Sequence, residues 1–204
     1  QEKETRLAEI EREKKRRRAE ELAKLEDNAN WEEQYKEWFK NPAPYGGLET
    51  IGMLDYAKAN GFNGHSANFS EKNISDLTPF AGLREVIVDL DLCNNNISDL
   101  SPLARFDLLV RLELDTNFIS DLSPLAGLKR LNELELHEND ITDLSPLAGL
   151  TNLERLRLDD NQITDLTPLE GLKNLKSLWL AGNQISEKQK RMLKKALPDC
   201  TIRF

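Results

Sequence analysis

The chain has 204 residues, and its 28 Lys and Arg against 36 Asp and Glu give a formal net charge of −8. A pI near 5.0 argues against a protein that mainly grips nucleic acid or an anionic membrane, and a mean hydropathy of −0.59 predicts no membrane span. Two cysteines exclude a disulfide scaffold and a Cys-rich zinc module.

Residues 1–40 are predicted to form a charged helical arm. Leu7 and Ile10 begin a heptad, but Lys14 and Arg17 occupy the next two seam positions, so any coiled coil is weak. A solvated helix, a disordered arm and an oligomerisation element all remain open. The basic run at 14–18 is flanked by acids, which speaks against nucleic-acid binding.

The arm ends in an aromatic stripe at helical spacing, which predicts a short docking helix. Its members are Trp31, Tyr35, Trp38 and Phe39. Two interpretations stay open: the stripe packs against the rest of the chain, or it docks into a groove of a partner.

A linker is predicted at 41–47, followed by an N-terminal cap at 48–72. Within the cap, residues 48–60 form an expected helix with four inward side chains: Leu48, Ile51, Leu54 and Ala57. Residues 65–74 are predicted as a degenerate first repeat, with Ala67 and Phe69 inward.

Residues 73–186 repeat with a period of 22. Three residue types keep this step: Ile97, Ile119, Ile141, Ile163 and Ile185; Pro102, Pro124, Pro146 and Pro168; and Asn95, Asn117, Asn139, Asn161 and Asn183. A fixed period of this size predicts a solenoid. Ile74 precedes Ile97 by 23 residues, so the first full repeat has one extra residue, expected as a bulge around 86–89.

Each repeat unit has a physical interpretation. The alternating LxLxxN segment predicts a short strand with inward leucines, and the Asn amide can bond backbone groups at the following turn. Ser or Thr before Pro predicts a capped helical turn, and the short period leaves room only for 3-10 turns. Seven inward side chains are expected in the lap that begins at Leu122: Leu122, Leu125, Leu128, Leu131, Leu134, Leu136 and Ile141.

A C-terminal cap is predicted at 187–204, made of a basic helix and a final strand. Met192, Leu193, Ala196 and Leu197 share one side of that helix, and Pro198 ends it.

The phrases ITDLSPLAGLTNLERLRL and ITDLTPLEGLKNLKSLWL resemble the 22-residue leucine-rich repeats of the bacterial internalin family, and are also similar to the repeat of the regulatory subunit of eukaryotic protein phosphatase 1. The resemblance covers roughly residues 66–186. It implies an α/β leucine-rich repeat solenoid, with parallel strands on the concave face and short 3-10 turns on the convex face. The helical arm and the two caps complete the predicted fold.

Stacking at this period places the outward residues of the concave face in rows. The first row, Asp89, Arg111, Glu133, Arg155 and Ser177, alternates in sign and is expected to neutralise itself. The second row is Asp91, Glu113, Glu135, Arg157 and Trp179, and the third is Cys93, Asp115, His137, Asp159 and Ala181. These two rows are not expected to neutralise themselves.

We therefore predict a non-enzymatic protein-binding module whose acidic concave face meets a basic peptide or protein surface. The predicted binding residues are Asp91, Glu113, Glu135, Arg157, Trp179, Asp115, His137 and Asp159, with Trp179 as an exposed apolar anchor. The alternative prediction is a structural or scaffold subunit of a larger assembly, docked through residues 1–40.

The sequence predicts neither catalytic activity nor a bound metal or cofactor. Asp115, His137 and Asp159 could hold a divalent metal, but strand residues splay outward, so neither a metal nor another cofactor is predicted. No arrangement of nucleophile and base supports a catalytic residue. The absence of an initiator Met and the family resemblance favour a bacterial extracytoplasmic location, periplasmic or secreted.

Overall fold

The computed structural model describes residues 37, 39–48, 50–52, 66–84 and 87–204. Residues 1–40 and 41–204 form two separate compact units. Of the first unit only residues 37, 39 and 40 are described, and all three are helical. The predicted coiled-coil seam and most of the aromatic stripe therefore lie outside the described residues.

Residues 66–203 carry a sheet of seven parallel strands whose spatial order is their order in the chain. The strands are β1 (Ser66–Asn68), β2 (Asp89–Asp91), β3 (Arg111–Glu113), β4 (Glu133–Glu135), β5 (Arg155–Arg157), β6 (Ser177–Trp179) and β7 (Thr201–Arg203). Leu134 lies beside Leu156, and Leu156 beside Leu178. This register confirms the predicted solenoid, because each lap returns the chain to the next strand position.

A 3-10 helix lies between successive strands from β1 to β6. The five helices are η1 (Thr78–Leu83), η2 (Ser101–Leu103), η3 (Ser123–Gly127), η4 (Ser145–Gly149) and η5 (Thr167–Leu169). Each helix has one Pro within its first two positions, as predicted. The expected cap by a Ser or Thr side chain is wrong, because the N-cap residue of each helix is Leu and makes no side-chain hydrogen bond. An Asp supplies the oxygen instead: the backbone N–H of Ser123 donates to Asp121 Oδ1 at 2.8 Å, and the other four helices repeat this contact.

These aspartates make stability depend on pH. Hydrogen bonds from the Ser or Thr hydroxyl and then from its backbone N–H lower the pKa of Asp121, Asp143 and Asp165. Their contribution is present above the ordinary Asp pKa of about 3.9 and is lost as the pH falls through the lowered folded-state pKa. We expect changing all three to Asn to flatten the fall of the urea midpoint between about pH 5 and pH 2. Asp107→Asn, at an exposed position outside these turns, should leave that fall unchanged.

The five repeat asparagines form a ladder of amides under the turns that follow the strands. Asn139 Nδ2 donates to the carbonyls of Leu114, Leu136 and His137 at 3.1, 3.2 and 3.2 Å, and its Oδ1 accepts from the Ile119 N–H at 2.9 Å. Asn95, Asn117, Asn161 and Asn183 bond the backbone in the same way. This confirms the predicted role of the amide and shows that each Asn also joins two laps.

The residue before each ladder asparagine has left-handed backbone geometry. Asn94, Thr116, Glu138 and Asp160 have φ between 52° and 54°. A β-branched side chain is strained there, whereas Asn tolerates the conformation. We expect Thr116→Asn to raise the free energy of unfolding by about 1 kcal/mol and Asn94→Thr to lower it by a similar amount, measured by urea denaturation.

The apolar core runs through the inside of all laps. The seven predicted inward residues of the lap from Leu122 are each at most 1% exposed. The expected bulge around 86–89 is wrong in position, because β2 pairs with both neighbours without a slip. Instead the Ile87 N–H donates to the carbonyl of Leu83, which is four residues earlier in the chain. At the equivalent position of the next lap, the Leu109 N–H donates to the carbonyl of Phe106, which is only three residues earlier. The extra residue therefore lies between Leu83 and Ile87, before β2.

Helix Glu187–Ala196 and β7 cover the C-terminal end of the stack. The Ser186 side chain caps the helix by accepting from the Gln189 N–H. Leu193 and Leu197 join the buried core, and Met192 and Ala196 pack against it. The four side chains that were predicted to share one side of this helix therefore all pack toward the core.

The N-terminal end differs from expectation at one position. Ile51 is fully buried, but Leu48 is 49% exposed, so its predicted burial is wrong. Leu48 lies in the first turn of its helix, one turn before the buried contact at Ile51. Leu54 and Ala57 lie outside the described residues.

The first repeat is degenerate in sequence but packs like the others. Phe69 is 3% exposed and Ala67 packs against the core. The segment predicted as a linker is bonded to this repeat: Tyr45 forms an antiparallel bridge with Ile74, and the Pro44 carbonyl accepts the N–H of Ser75 at 2.8 Å.

Candidate protein-binding face

The side chains of the sheet that point away from the core form a surface, the strand face, on which the three predicted rows can be followed. In the first row, Arg111 bridges Asp89 at 3.2 Å and Glu133 at 3.0 Å, and Arg155 reaches Glu133 at 2.7 Å. Each pair joins directly neighbouring strands. The first row therefore neutralises itself, as predicted.

The second row has two members that the sequence interpretation missed. Asn68 of β1 precedes Asp91, and Arg203 of β7 follows Trp179. Near its C-terminal end the row is partly neutralised, contrary to expectation, because Arg157 contacts Glu135 at 3.3 Å. β1 and β7 lie outside the clear part of the repeat pattern, which is why their residues were not placed in the row.

The N-terminal part of the second row keeps its negative charge. Glu113 lies between Asp91 and Glu135 in the register. Among the ion pairs of the described residues, none gives Asp91 or Glu113 a basic partner. Burial raises the pKa of Glu113, and the charges of Asp91, Glu135 and Asp115 raise it further. We refer to Asp91, Glu113, Asp115 and Glu135 as the carboxylate cluster.

The third row lies just past the strands and is held by backbone hydrogen bonds at the same 22-residue step. Its members do not meet as predicted. His137 Nε2 is 3.6 Å from Asp115 Oδ2, but Asp159 contacts Arg157 Nε at 3.5 Å and the Ala181 N–H at 3.1 Å. Asp115 and His137 therefore lie together, whereas Asp159 contacts Arg157 and the backbone of Ala181.

The Cys93 thiol begins this third row and donates to Asp115 Oδ1 across 2.9 Å. Burial raises its pKa strongly, and the hydrogen bonds and charges of Asp115 and Asp91 add to the effect. The thiol therefore stays protonated near neutral pH, and a protonated thiol is a poor nucleophile.

Two groups of side chains on the strand face have ligand atoms within 4.8 Å of one another. One is Asp91, Cys93 and Glu113, and the other is Asp115, Glu135 and His137. The second group shares Asp115 and His137 with the trio considered from sequence, but Glu135 replaces Asp159. Glu135 and His137 are two residues apart, so they leave the chain on the same face of the sheet.

Trp179, predicted as an exposed anchor, is less exposed than expected. Its side chain is half-buried, with the guanidinium carbons of Arg157 and Arg203 at 6.0 and 5.7 Å from the ring centroid. Since these two arginines come from the strands on either side, the ring lies between two cations. The error arose because β7 was not counted as a neighbour of β6.

Phe118 is the exposed aromatic side chain of the described repeats, at 59% exposure. It follows Asn117 in the turn after β3, three residues beyond Asp115. The same position in the other repeats holds a polar residue: Asn96, Asp140, Gln162 and Gln184. That contrast was visible in the sequence and could have identified Phe118.

Comparison with known proteins agrees with this geometry. A family model described as leucine rich repeats (2 copies) matches residues 129–171 and 151–190. An internalin, inlF, from Listeria monocytogenes is 35% identical with a TM-score of 0.60, and internalin C2 of the same species is 28% identical with a TM-score of 0.59. The chain has the leucine-rich repeat fold and is similar to these internalins.

The similarity extends over different shares of these chains. The likeness to inlF spans 64% of this chain and 38% of that one, whereas the likeness to internalin C2 spans 82% and 84%. A leucine-rich repeat protein from Leptospira interrogans is 29% identical over 65% of this chain and 40% of its own, with a TM-score of 0.52. A search of curated proteins found no significant match.

Leucine-rich repeat proteins generally act in protein–protein interaction, and this chain has their fold. In the part of the chain that the structure describes, no helix has both the length and the apolar character that a membrane crossing requires.

Proposed function

We propose that the protein binds a basic segment of another protein through the carboxylate cluster of its strand face. The observation that carries this proposal is Glu113, held between Asp91 and Glu135 with no salt bridge among the described residues. Like charges on neighbouring strands are destabilising, so a Lys or Arg side chain of a partner would relieve a repulsion already built into the fold.

The other predicted residues set the limits of the site. Arg157, Trp179 and Arg203 form a cationic end to the second row, which confines a basic segment to the part of the face over β2–β4. Asp159 is engaged by Arg157 and is therefore a border residue. His137 lies inside the site beside Asp115.

Phe118 supplies the apolar contact that Trp179 was expected to make. Aromatic side chains are common anchors of protein interfaces, and Phe118 is exposed in the turn that follows Asp115. The partner segment that fits is extended, basic and carries at least one apolar side chain.

The proposal is tested with a display library of random peptides, panned on the full-length protein. Enriched peptides are expected to be rich in Lys and Arg and to bind more weakly as salt is raised. The double variant Asp91→Asn/Glu113→Gln should bind them at least about tenfold more weakly, and Phe118→Ala should also weaken binding. Glu170→Gln, next to the 3-10 helix η5, is the matched control and should bind like the unchanged protein.

Enrichment of acidic or uncharged peptides would contradict the proposal, as would equal affinity for the double variant. The scaffold alternative is examined with the same peptides. Loss of their binding on deletion of residues 1–40, with the strand face unchanged, would assign the binding activity to the arm.

We propose in addition that the protein has no enzymatic activity and acts outside the cytoplasm of a bacterium. The likeness to internalins supports both statements, and the protonated Cys93 thiol supports the first. Fractionation of cells that express the full-length gene is expected to place the protein in the envelope or the medium. Its recovery in the cytosol alone would contradict the location.

A further inference from the structure

Asp115, Glu135 and His137 converge on one point of the strand face, and nothing in the proposed peptide binding requires them to do so. One ligand atom from each lies within 4.8 Å of the other two. We propose that these three side chains hold a divalent transition-metal ion, for which Zn²⁺ is the best match.

The spacing of the donor atoms is close to that of a metal site. His137 Nε2 and Asp115 Oδ2 face each other across 3.6 Å, which is too long for a hydrogen bond. Two ligands each about 2.0–2.1 Å from a tetrahedral zinc ion lie about 3.3 Å apart. A small inward movement of either side chain would therefore bring both to coordination distance.

The imidazole of His137 lacks the hydrogen bonds that a structural histidine normally makes. Its side chain is 18% exposed, and its Nδ1 is buried without a hydrogen-bond partner among the described residues. Nε2, the nitrogen that faces Asp115, makes no hydrogen bond at 3.6 Å, so its lone pair is available to an ion and it is the ligand atom that the ring offers.

Both carboxylates are already oriented by a second contact. The Cys93 thiol donates to Asp115 Oδ1 at 2.9 Å and leaves Oδ2 facing the imidazole. Arg157 donates to Glu135 Oε2 at 3.3 Å and leaves Oε1 free of that bond. Outer contacts of this kind hold metal ligands in place.

The donor set determines the class of ion. One imidazole nitrogen and two carboxylate oxygens suit Zn²⁺ and its neighbours in the first transition row, whereas Ca²⁺ and Mg²⁺ take oxygen ligands almost entirely. Three protein ligands leave at least one coordination position for water or for a side chain of a bound partner. The other group, Asp91, Cys93 and Glu113, contains no imidazole, and its thiol is bonded to Asp115.

The test is titration of the full-length protein with Zn²⁺ by calorimetry and with Co²⁺ by visible absorption. One ion per chain is expected, with the d–d bands of tetrahedral or five-coordinate Co²⁺ and displacement of Co²⁺ by Zn²⁺. His137→Ala and Asp115→Asn should each weaken binding about tenfold or more. Two control variants should bind the ion like the unchanged protein. They are His65→Ala, which changes the other histidine of the chain, and Asp159→Asn.

Absence of binding, or binding that His137→Ala leaves unchanged, would overturn the proposal. Loss of binding in Asp159→Asn with retention in Glu135→Gln would assign the ion to the trio considered from sequence and would overturn the ligand set given above. Circular dichroism of each variant shows whether it is folded, and His137→Gln provides a second variant of similar shape. Saturation by Ca²⁺ or Mg²⁺ at the same concentration would overturn the assigned class of ion.

Discussion

Replacement of Asn139 by Ala is expected to lower the free energy of unfolding by about 3–5 kcal/mol. The amide of Asn139 donates to three backbone carbonyls and accepts one backbone N–H, and these groups belong to two adjacent laps. The residue is buried, so water cannot replace the lost bonds without entering the turn. Urea denaturation followed by circular dichroism measures the effect.

Asn152→Ala is the matched control for this change. The Asn152 side chain is exposed and donates one hydrogen bond, to the Lys129 carbonyl at 2.7 Å. Its loss should cost about 1 kcal/mol or less. Equal effects of the two substitutions would show that the ladder does not join the laps energetically.

Replacement of Phe106 by Ala is expected to cost about 3–5 kcal/mol, because the ring is fully buried and its removal leaves a cavity between laps. The corresponding position in later repeats holds Leu128, Leu150 and Leu172. Phe106→Leu should therefore cost less than about 1.5 kcal/mol. Thermal and urea unfolding of the three proteins measures this order.

Phe118→Ala makes the same chemical change at an exposed position of the same lap. Its ring is 59% exposed, so stability should change by about 0.5 kcal/mol or less. The proposed function requires that this variant nevertheless binds basic peptides less well. A large loss of stability in Phe118→Ala would mean that the ring packs against the chain and is not available to a partner.

The buried interior could be read from spacing because one lap repeats with few changes. Leucines at fixed positions must face the same way in every lap, so the inward set from Leu122 to Ile141 follows from the period. The register of Glu113 beside Glu135, and of Arg111 beside Glu133, follows from the same step of 22. Because every lap has the same geometry, the positions that face inward in one lap predict those of the others.

The sequence interpretation was wrong or incomplete where the repetition ends or is interrupted. The burial of Leu48 was misjudged in the cap, and the exposure of Trp179 was misjudged because β7 follows it. The extra residue was expected as a strand bulge around 86–89, although the hydrogen bond from the Ile87 N–H to the Leu83 carbonyl places it between these two residues. At each of these positions the local pattern has no copy in the neighbouring laps.

The 22-residue period alone was sufficient to establish the solenoid, its inward leucines, the ladder of asparagines and the rows of the strand face, because stacked copies share one geometry. Only the folded chain decided which charged side chains meet. Arg157 engages Glu135 and Asp159, and Glu113 is left among carboxylates. His137 approaches Asp115 and Glu135, with Asp159 engaged elsewhere. The physical reason is that long polar side chains can reach several neighbours, and their choice depends on rotamers and competing partners that a repeat pattern does not encode.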